Sequence, residues 1–190
     1  MMKVYEIDAT TIYRCPIVTG VYNVGGQSEV ASPRRVAEVA AVTAMLREIF
    51  GESASLNHDE YGAPVLSGVI SPPFLSISHS AREVVVAVNP VARIGVDVEH
   101  WRSQLMRAAS RFLSEGEAGM CRSSHDLLRA WTVKEALYKA YRIGSLPLAD
   151  GCPLPPHPGA TTMVGGGEYR VDMVVDTPST CIALATSLEI

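Results

Sequence analysis

Apolar and polar positions alternate in short stretches along this chain, and the alternation twice gives way to helical spacing. Lys3–Ile7 and residues 15–22 read as short strands, with "NVGGQS" after them as a loop. Ser32-Pro33 supplies a capping residue and a proline at the first helical position. A helix is therefore predicted through "RRVAEVAAVTAMLREIF", with Val36, Val39, Ala40, Thr43, Leu46 and Phe50 at its spacing and Gly51 as its stop. In "LNHDEYGAPVLSG", Tyr61-Gly62 and Pro64 mark a turn between short extended pieces.

Three strand runs follow: "FLSIS", "EVVVAV" and "RIGVDVE". Asn89-Pro90 lies between the last two, and the turn it predicts would join them as a hairpin. From Trp101 the spacing is helical through "SQLMRAASRFL" and again through "HDLLRAWTVKEALYKAY", which Gly144 would end. "SLPLADGCPLPPHPGATTMVGGG" reads as a loop of low regular content, and two strands close the chain, "EYRVDMVV" and "TCIALATS". Each half thus offers a helix plus apolar strands. The pattern predicts an α+β protein of two similar lobes, residues 1–93 and 94–190.

Composition narrows the function classes. A net charge of −4 over 190 residues gives no basic field for nucleic acid. Cys15, Cys121, Cys152 and Cys181 lack any short Cys-x-x-Cys spacing, so neither a zinc motif nor a disulfide framework is indicated. "MMKVYEIDAT" alternates and lacks the basic-then-apolar order of a signal peptide. No apolar run approaches a membrane span. The expectation is a cytoplasmic protein with reduced thiols, without a membrane partner.

Two stretches carry candidate chemistry. In "IGVDVE", Val96 and Val98 share one face of a strand and Asp97 and Glu99 the other. The two acids lie roughly 7 Å apart by strand rise. They suit a hard cation such as magnesium, which takes oxygen ligands and a substrate phosphate, but they equally fit a solvated acidic face. In "WTVKEALYKAY", Trp131, Glu135, Tyr138, Lys139 and Arg142 form one helical face, opposite Val133, Ala136, Leu137 and Ala140. Glu135 and Lys139 are correctly ordered for a surface ion pair of about 0.2–0.5 kcal/mol. Aromatic rings on the charged face point instead to a partly buried site. Three acids and two lysines, Lys134 and Lys139, would together suit a magnesium pyrophosphate. Spacing alone leaves both readings open.

"IGVDVE" followed by "WTVKEALYKA" resembles the paired signature of the 4′-phosphopantetheinyl transferases, and the chain looks most like their surfactin-type, pseudo-dimeric members. "SISHS", "YGAPVL" and "RFLSEGE" resemble three further motifs of that family, in the expected order. The resemblance implies a fold of two lobes related by a pseudo-two-fold axis, the first on the side of the 3′-phosphate and adenine of coenzyme A, the second carrying the catalytic residues. It implies transfer of the phosphopantetheine arm of coenzyme A, as co-substrate, to a serine of an apo acyl or peptidyl carrier protein, releasing 3′,5′-ADP. By position, Asp97, Glu99 and Glu135 match the magnesium ligands, and Glu135 also the general base. Lys134 and Lys139 match lysines near the pyrophosphate. Ser78 and His79 match contacts to the coenzyme A phosphates, and Arg34 or Arg35 a basic residue for the 3′-phosphate. A monomer of this length would suffice.

Some positions keep a second reading. Ser114-x-x-Glu117 fits a capping box, or Glu117 approaches the metal. Arg102, Arg107 and Arg111 form either a solvated face or a stripe toward an acidic carrier. Ala63 stands where relatives often carry a basic residue, and the N-terminal region is shorter than in larger members. Two rival functions stand beside transfer: a module that binds coenzyme A without reaction, and a magnesium-dependent nucleotide pyrophosphate hydrolase.

Overall fold

A computed structural model of the chain describes residues 1–17 and 33–189. The expected "NVGGQS" loop, the cap at Ser32 and the strand beyond residue 17 lie outside the described residues. The fold is a mixed α/β arrangement of two four-stranded antiparallel sheets.

The first sheet runs β1 (Lys3–Ile7), β2 (Thr10–Pro16), β6 (Glu83–Asn89), β5 (Phe74–His79). Helix α1 (Pro33–Phe50) covers it, and a small ribbon of β3 (Ser55–His58) and β4 (Pro64–Ser67) flanks it. Gly51, at φ 90°, stops α1 by donating to the carbonyl of Arg47. The buried stripe of α1 is Ala37, Ala41, Val42, Met45 and Leu46, packed on Val84 and Val86. It is rotated from the expected one: Val39 and Thr43 are exposed, because that flank forms a wall of a pocket.

The second sheet runs β7 (Ile94–His100), β10 (Thr180–Ser187), β9 (Gly167–Thr177), β8 (Thr161–Val164). Between β7 and β8 come α2 (Gln104–Phe112), α3 (Glu115–Met120), α4 (Ser124–Tyr141) and α5 (Leu148–Gly151). The Pro/Gly-rich stretch therefore holds α5 and β8, more regular structure than its composition predicts. Arg142, at φ 61°, caps α4 in the left-handed region, two residues before the predicted stop at Gly144. None of the described helices is long and apolar enough to cross a membrane.

The predicted β6–β7 hairpin does not form. Both edges of β6 are taken, by β2 and β5, and the β5–β6 hairpin closes where Ser80 donates its N–H to the Glu83 carbonyl. The Asn89 side chain accepts from the N–H groups of Val91 and Ala92, turning the chain away toward the second sheet. There β7 pairs with β10.

The alternation in β7 then places the chemistry. Ile94, Val96 and Val98 join Ile12, Val85, Ala87, Ile182 and Leu184 in one core between the sheets. Gly95, Asp97 and Glu99 consequently face α4. At Gly95 the helix comes so close that a Cβ would lie 2.0 Å from the Ala136 carbonyl oxygen and 2.4 Å from the Ala140 nitrogen. Val133, Ala136, Leu137 and Ala140 fill the rest of that contact against Ala183 and Ala185 of β10.

Candidate active site

The edges of the two sheets meet along β5 and β7, and serine side chains stitch them. The Ser76 hydroxyl accepts from the Val96 N–H at 2.9 Å, and the Ser78 hydroxyl from the Val98 N–H at 3.2 Å. Ser78 also donates to Asp97 Oδ1 at 2.7 Å. It is buried, lines the cleft and is aimed at the Asp97 carboxylate.

Asp97 is buried, and Oδ1 also receives Lys139 Nζ at 2.7 Å, which in turn donates to the Val96 carbonyl at 3.2 Å. Glu99 stands two residues further along the same face. Its Oε2 is held by Arg102 at 2.8 Å and its Oε1 accepts from the His100 N–H at 2.9 Å. From α4, Glu135 brings a third carboxylate. It is partly buried and accepts no hydrogen bond among the described residues. Burial pushes its carboxyl above the ordinary value, the charges of Asp97 and Glu99 push the same way, and Lys139 opposes them. These side chains line a cleft of about 320 Å³ with Ile77, His79 and Trp131.

A second pocket, of about 490 Å³, shares Ile77 and His79 with the cleft and runs along α1. At its mouth Glu38, nearly buried, gathers three basic side chains. Arg34 Nε donates to it at 2.8 Å, Arg35 Nη1 lies 3.6 Å away and His79 Nδ1 3.4 Å away. Arg34 and Arg35 remain more than half exposed, so the cations are held in place yet open to a ligand. Burial, with the charges of Arg35, Lys139 and Arg34, keeps His79 below its ordinary value against the pull of Glu38. Burial works to raise Glu38, but Arg34 and His79 hold it below the usual carboxylate range. A third pocket, beside Lys139, is lined by Ala63 and Arg142. Arg142 donates there to the carbonyls of Pro64 and Leu75, bringing a guanidinium to the wall where position 63 lacks a basic side chain.

Lys134 is the clearest departure from expectation. It is fully buried, and its Nζ donates to the carbonyls of Leu148 at 2.9 Å, Ala149 at 3.0 Å and Cys152 at 2.7 Å. Its fourth partner is Glu117 Oε2 at 2.8 Å. Facing α3 and α5, it has no access to the cleft and does not contact a pyrophosphate there. Glu117 forms the capping box with Ser114 and also accepts from the Leu154 N–H. Its carboxylate is committed to those partners and to Lys134. Of the expected arginine stripe, Arg102 is tied to Glu99.

Sequence reasoning missed Glu38, Ser76 and the Glu117–Lys134 pair. The spacing Arg34-x-x-x-Glu38 and the alternation of Ser76 with Ser78 were visible signals. The buried pair had none, because its partners lie on different helices.

Carboxylate oxygens are the donor chemistry that a hard divalent cation takes. Three carboxylates line one cleft with Lys139, and Glu135 is partly buried beside two like charges that the Lys139 charge opposes. Residues 93–171 match the family model of the 4′-phosphopantetheinyl transferase superfamily. A search of curated proteins finds no match. The matched residues include β7, with Asp97 and Glu99, and all of α4, with Glu135 and Lys139.

Proposed function

We propose that the protein transfers the 4′-phosphopantetheine arm of coenzyme A to a serine of an apo acyl or peptidyl carrier protein, releasing 3′,5′-ADP. The observation that carries this reading is that Asp97, Glu99, Glu135 and Lys139 line a cleft which shares Ile77 and His79 with the pocket of Arg35 and Glu38, where Arg34 is also bound to Glu38. Coenzyme A has the matching parts: a pyrophosphate for the cleft and a 3′-phosphate for the basic pocket.

Asp97, Glu99 and Glu135 would hold magnesium, which when bound supplies positive charge to the pyrophosphate. Ser78 fixes the rotamer of Asp97 for that task. Glu135, its proton affinity raised by burial and like charge, takes the proton of the carrier serine. The serine oxygen bonds to the β-phosphorus of coenzyme A, and the bond from that phosphorus to the bridging oxygen breaks. Lys139 stabilises the charge that develops on the leaving 3′,5′-ADP. Catalysis on this reading is positioning and electrostatics.

The surfactin-type architecture draws support from topology. β2–α1–β5–β6 places β6 between β2 and β5, and β7–α4–β9–β10 places β10 between β7 and β9. The two units are the same β–α–β–β arrangement, one from each of the segments 1–93 and 94–190. Both walls of the cleft come from one chain, which fits a monomer.

The test is to incubate the protein with coenzyme A, magnesium and an apo carrier protein and to weigh the carrier. A gain of one phosphopantetheine is expected. Release of 3′,5′-ADP without carrier modification would make the protein a hydrolase, and neither product would leave a coenzyme A binding module.

A further inference from the structure

On the same face of the second sheet, beyond Glu99, lies a group of side chains that the transfer reaction does not use. Cys181 is paired in register with Glu99 on one side and Asp176 on the other. His125, in the first turn of α4, reaches down to Asp176, its Nε2 2.6 Å from Oδ1. Cys181 Sγ lies 3.6 Å from that same oxygen. The ligand-type atoms of His125, Asp176 and Cys181 are all within 4.8 Å of one another.

We propose that His125, Asp176 and Cys181 form a binding site for a thiophilic divalent cation of the zinc type, separate from the carboxylate site. Nitrogen, oxygen and sulfur ligands are the set zinc takes, with a water completing a tetrahedron. Bond lengths of about 2.0 Å to nitrogen and 2.3 Å to sulfur give a nitrogen–sulfur edge of about 3.5 Å. The present spread closes to that by small rotations of His125 and Asp176. Their side chains are each 26% exposed, which gives the ion a way in from solvent. Cys181 itself is fully buried against Leu105 and Leu128, which shuts water out behind the sulfur.

Arg129 makes the arrangement more than a chance cluster. Its Nη2 donates to Asp176 Oδ2 at 2.7 Å and its Nε to Oδ1 at 3.3 Å, a fork that fixes the plane of the carboxylate with Oδ1 beside the imidazole and the thiol. A ligand carboxylate fixed by an outer hydrogen-bond partner is how metal sites are commonly built. A purely structural clamp of Asp176 by His125 and Arg129 would gain little from a cysteine, a weak hydrogen-bond donor. Without metal the thiol keeps its proton, since burial and then Asp176 push it up to about 12. Metal binding breaks the S–H bond, forms a metal–thiolate bond and sends the proton to solvent, with no change of oxidation state. The ion would tie the start of α4 to the β9–β10 end, about 15 Å along the helix axis from Glu135.

Cobalt(II) and zinc(II) titration of the full chain tests the site. One cobalt per chain is expected to give a thiolate-to-metal charge-transfer band that zinc displaces, and Asp97→Ala should keep that band. Cys181→Ser should abolish it. His125→Ala, a surface change that leaves the core intact, should weaken zinc by more than the roughly 10–100-fold that loss of an outer hydrogen-bond partner costs. No charge-transfer band in the wild type would overturn the site, as would zinc affinity unchanged in His125→Ala.

Discussion

Lys134 and Glu135 are neighbours in α4 and point into opposite surroundings. Lys134 Nζ is enclosed by three carbonyls and the Glu117 carboxylate, with no exposed surface. Glu135 turns instead to the cleft, where it has no hydrogen-bond partner among the described residues. One residue ties the helix to its neighbours and the next faces the cleft. Two charged residues that look alike in sequence therefore differ in what their loss should do.

Lys134→Ala should leave Glu117 buried without its cation. Loss of one partner of such a pair typically costs about 3–5 kcal/mol. Urea unfolding should show that loss, and the double change Lys134→Met with Glu117→Gln should recover part of it. Lys139→Ala should do the reverse, slowing transfer with little effect on the unfolding midpoint.

The same pair makes a pH prediction. Burial works to raise the Glu117 carboxyl, but the hydrogen bonds from Lys134, Leu154 and Ser114 prevail and hold it below its ordinary 4.5. A carboxylate depressed in the folded state contributes stability above its unfolded value, and that contribution is lost as pH falls through the folded value. The stability gap between wild type and Glu117→Gln should therefore narrow as pH drops below 4.5. Unfolding curves at a series of acidic pH values would show it, and a gap constant across them would refute it.

Glu135→Gln removes the proposed base together with one of three crowded negative charges. Transfer should fall by about 10²–10⁴-fold, the usual contribution of a general base. Thermal unfolding without added metal should rise slightly at neutral pH, because the repulsion from Asp97 and Glu99 is relieved. Asp97→Ala also stops transfer but frees Lys139 and Ser78 from their partner, so it should not gain stability. Retained activity at ordinary magnesium would remove Asp97 from the metal site.

The basic pocket predicts discrimination on the 3′-phosphate. Arg35→Ala and His79→Ala should raise KM for coenzyme A and leave that for 3′-dephospho-coenzyme A nearly unchanged. Glu38→Ala should share part of the effect through misplaced cations. Steady-state kinetics with both substrates would separate the two cases.

The sequence was most legible where one element decides a residue's direction. Alternation in "IGVDVE" put Asp97 and Glu99 on one face, and the sheet core of Val96 and Val98 enforces it. Helical spacing likewise separated Glu135 and Lys139 from Ala136 and Ala140. Lys134 was misread because its direction depends on carbonyls of residues 148–152, distant in sequence. The bonds of Ser78 to Asp97 and Val98 were hidden for a related reason, since those partners lie in the other sheet. The β6–β7 hairpin failed because local turn chemistry at Asn89 carries no information about which edges of β6 are already filled.

Gly95→Ala probes the approach of strand and helix. The clash would be with backbone atoms of α4, which cannot swing aside as a side chain can. A stability loss at the upper end of the roughly 1–3 kcal/mol for overpacking is expected, with activity reduced further than stability explains. Denaturation and initial rates on the same preparation would measure both.

The absence of a side chain at residue 95 acts as a gauge block between β7 and α4. With strand and helix seated backbone against backbone at Gly95, and Val133, Ala136, Leu137 and Ala140 packed around that point, the two elements have one depth of seating. Whatever the path of residues 101–123 between them, β7 and α4 are set against each other at backbone level, so the faces that carry Asp97 and Glu135 cannot drift apart without opening that contact.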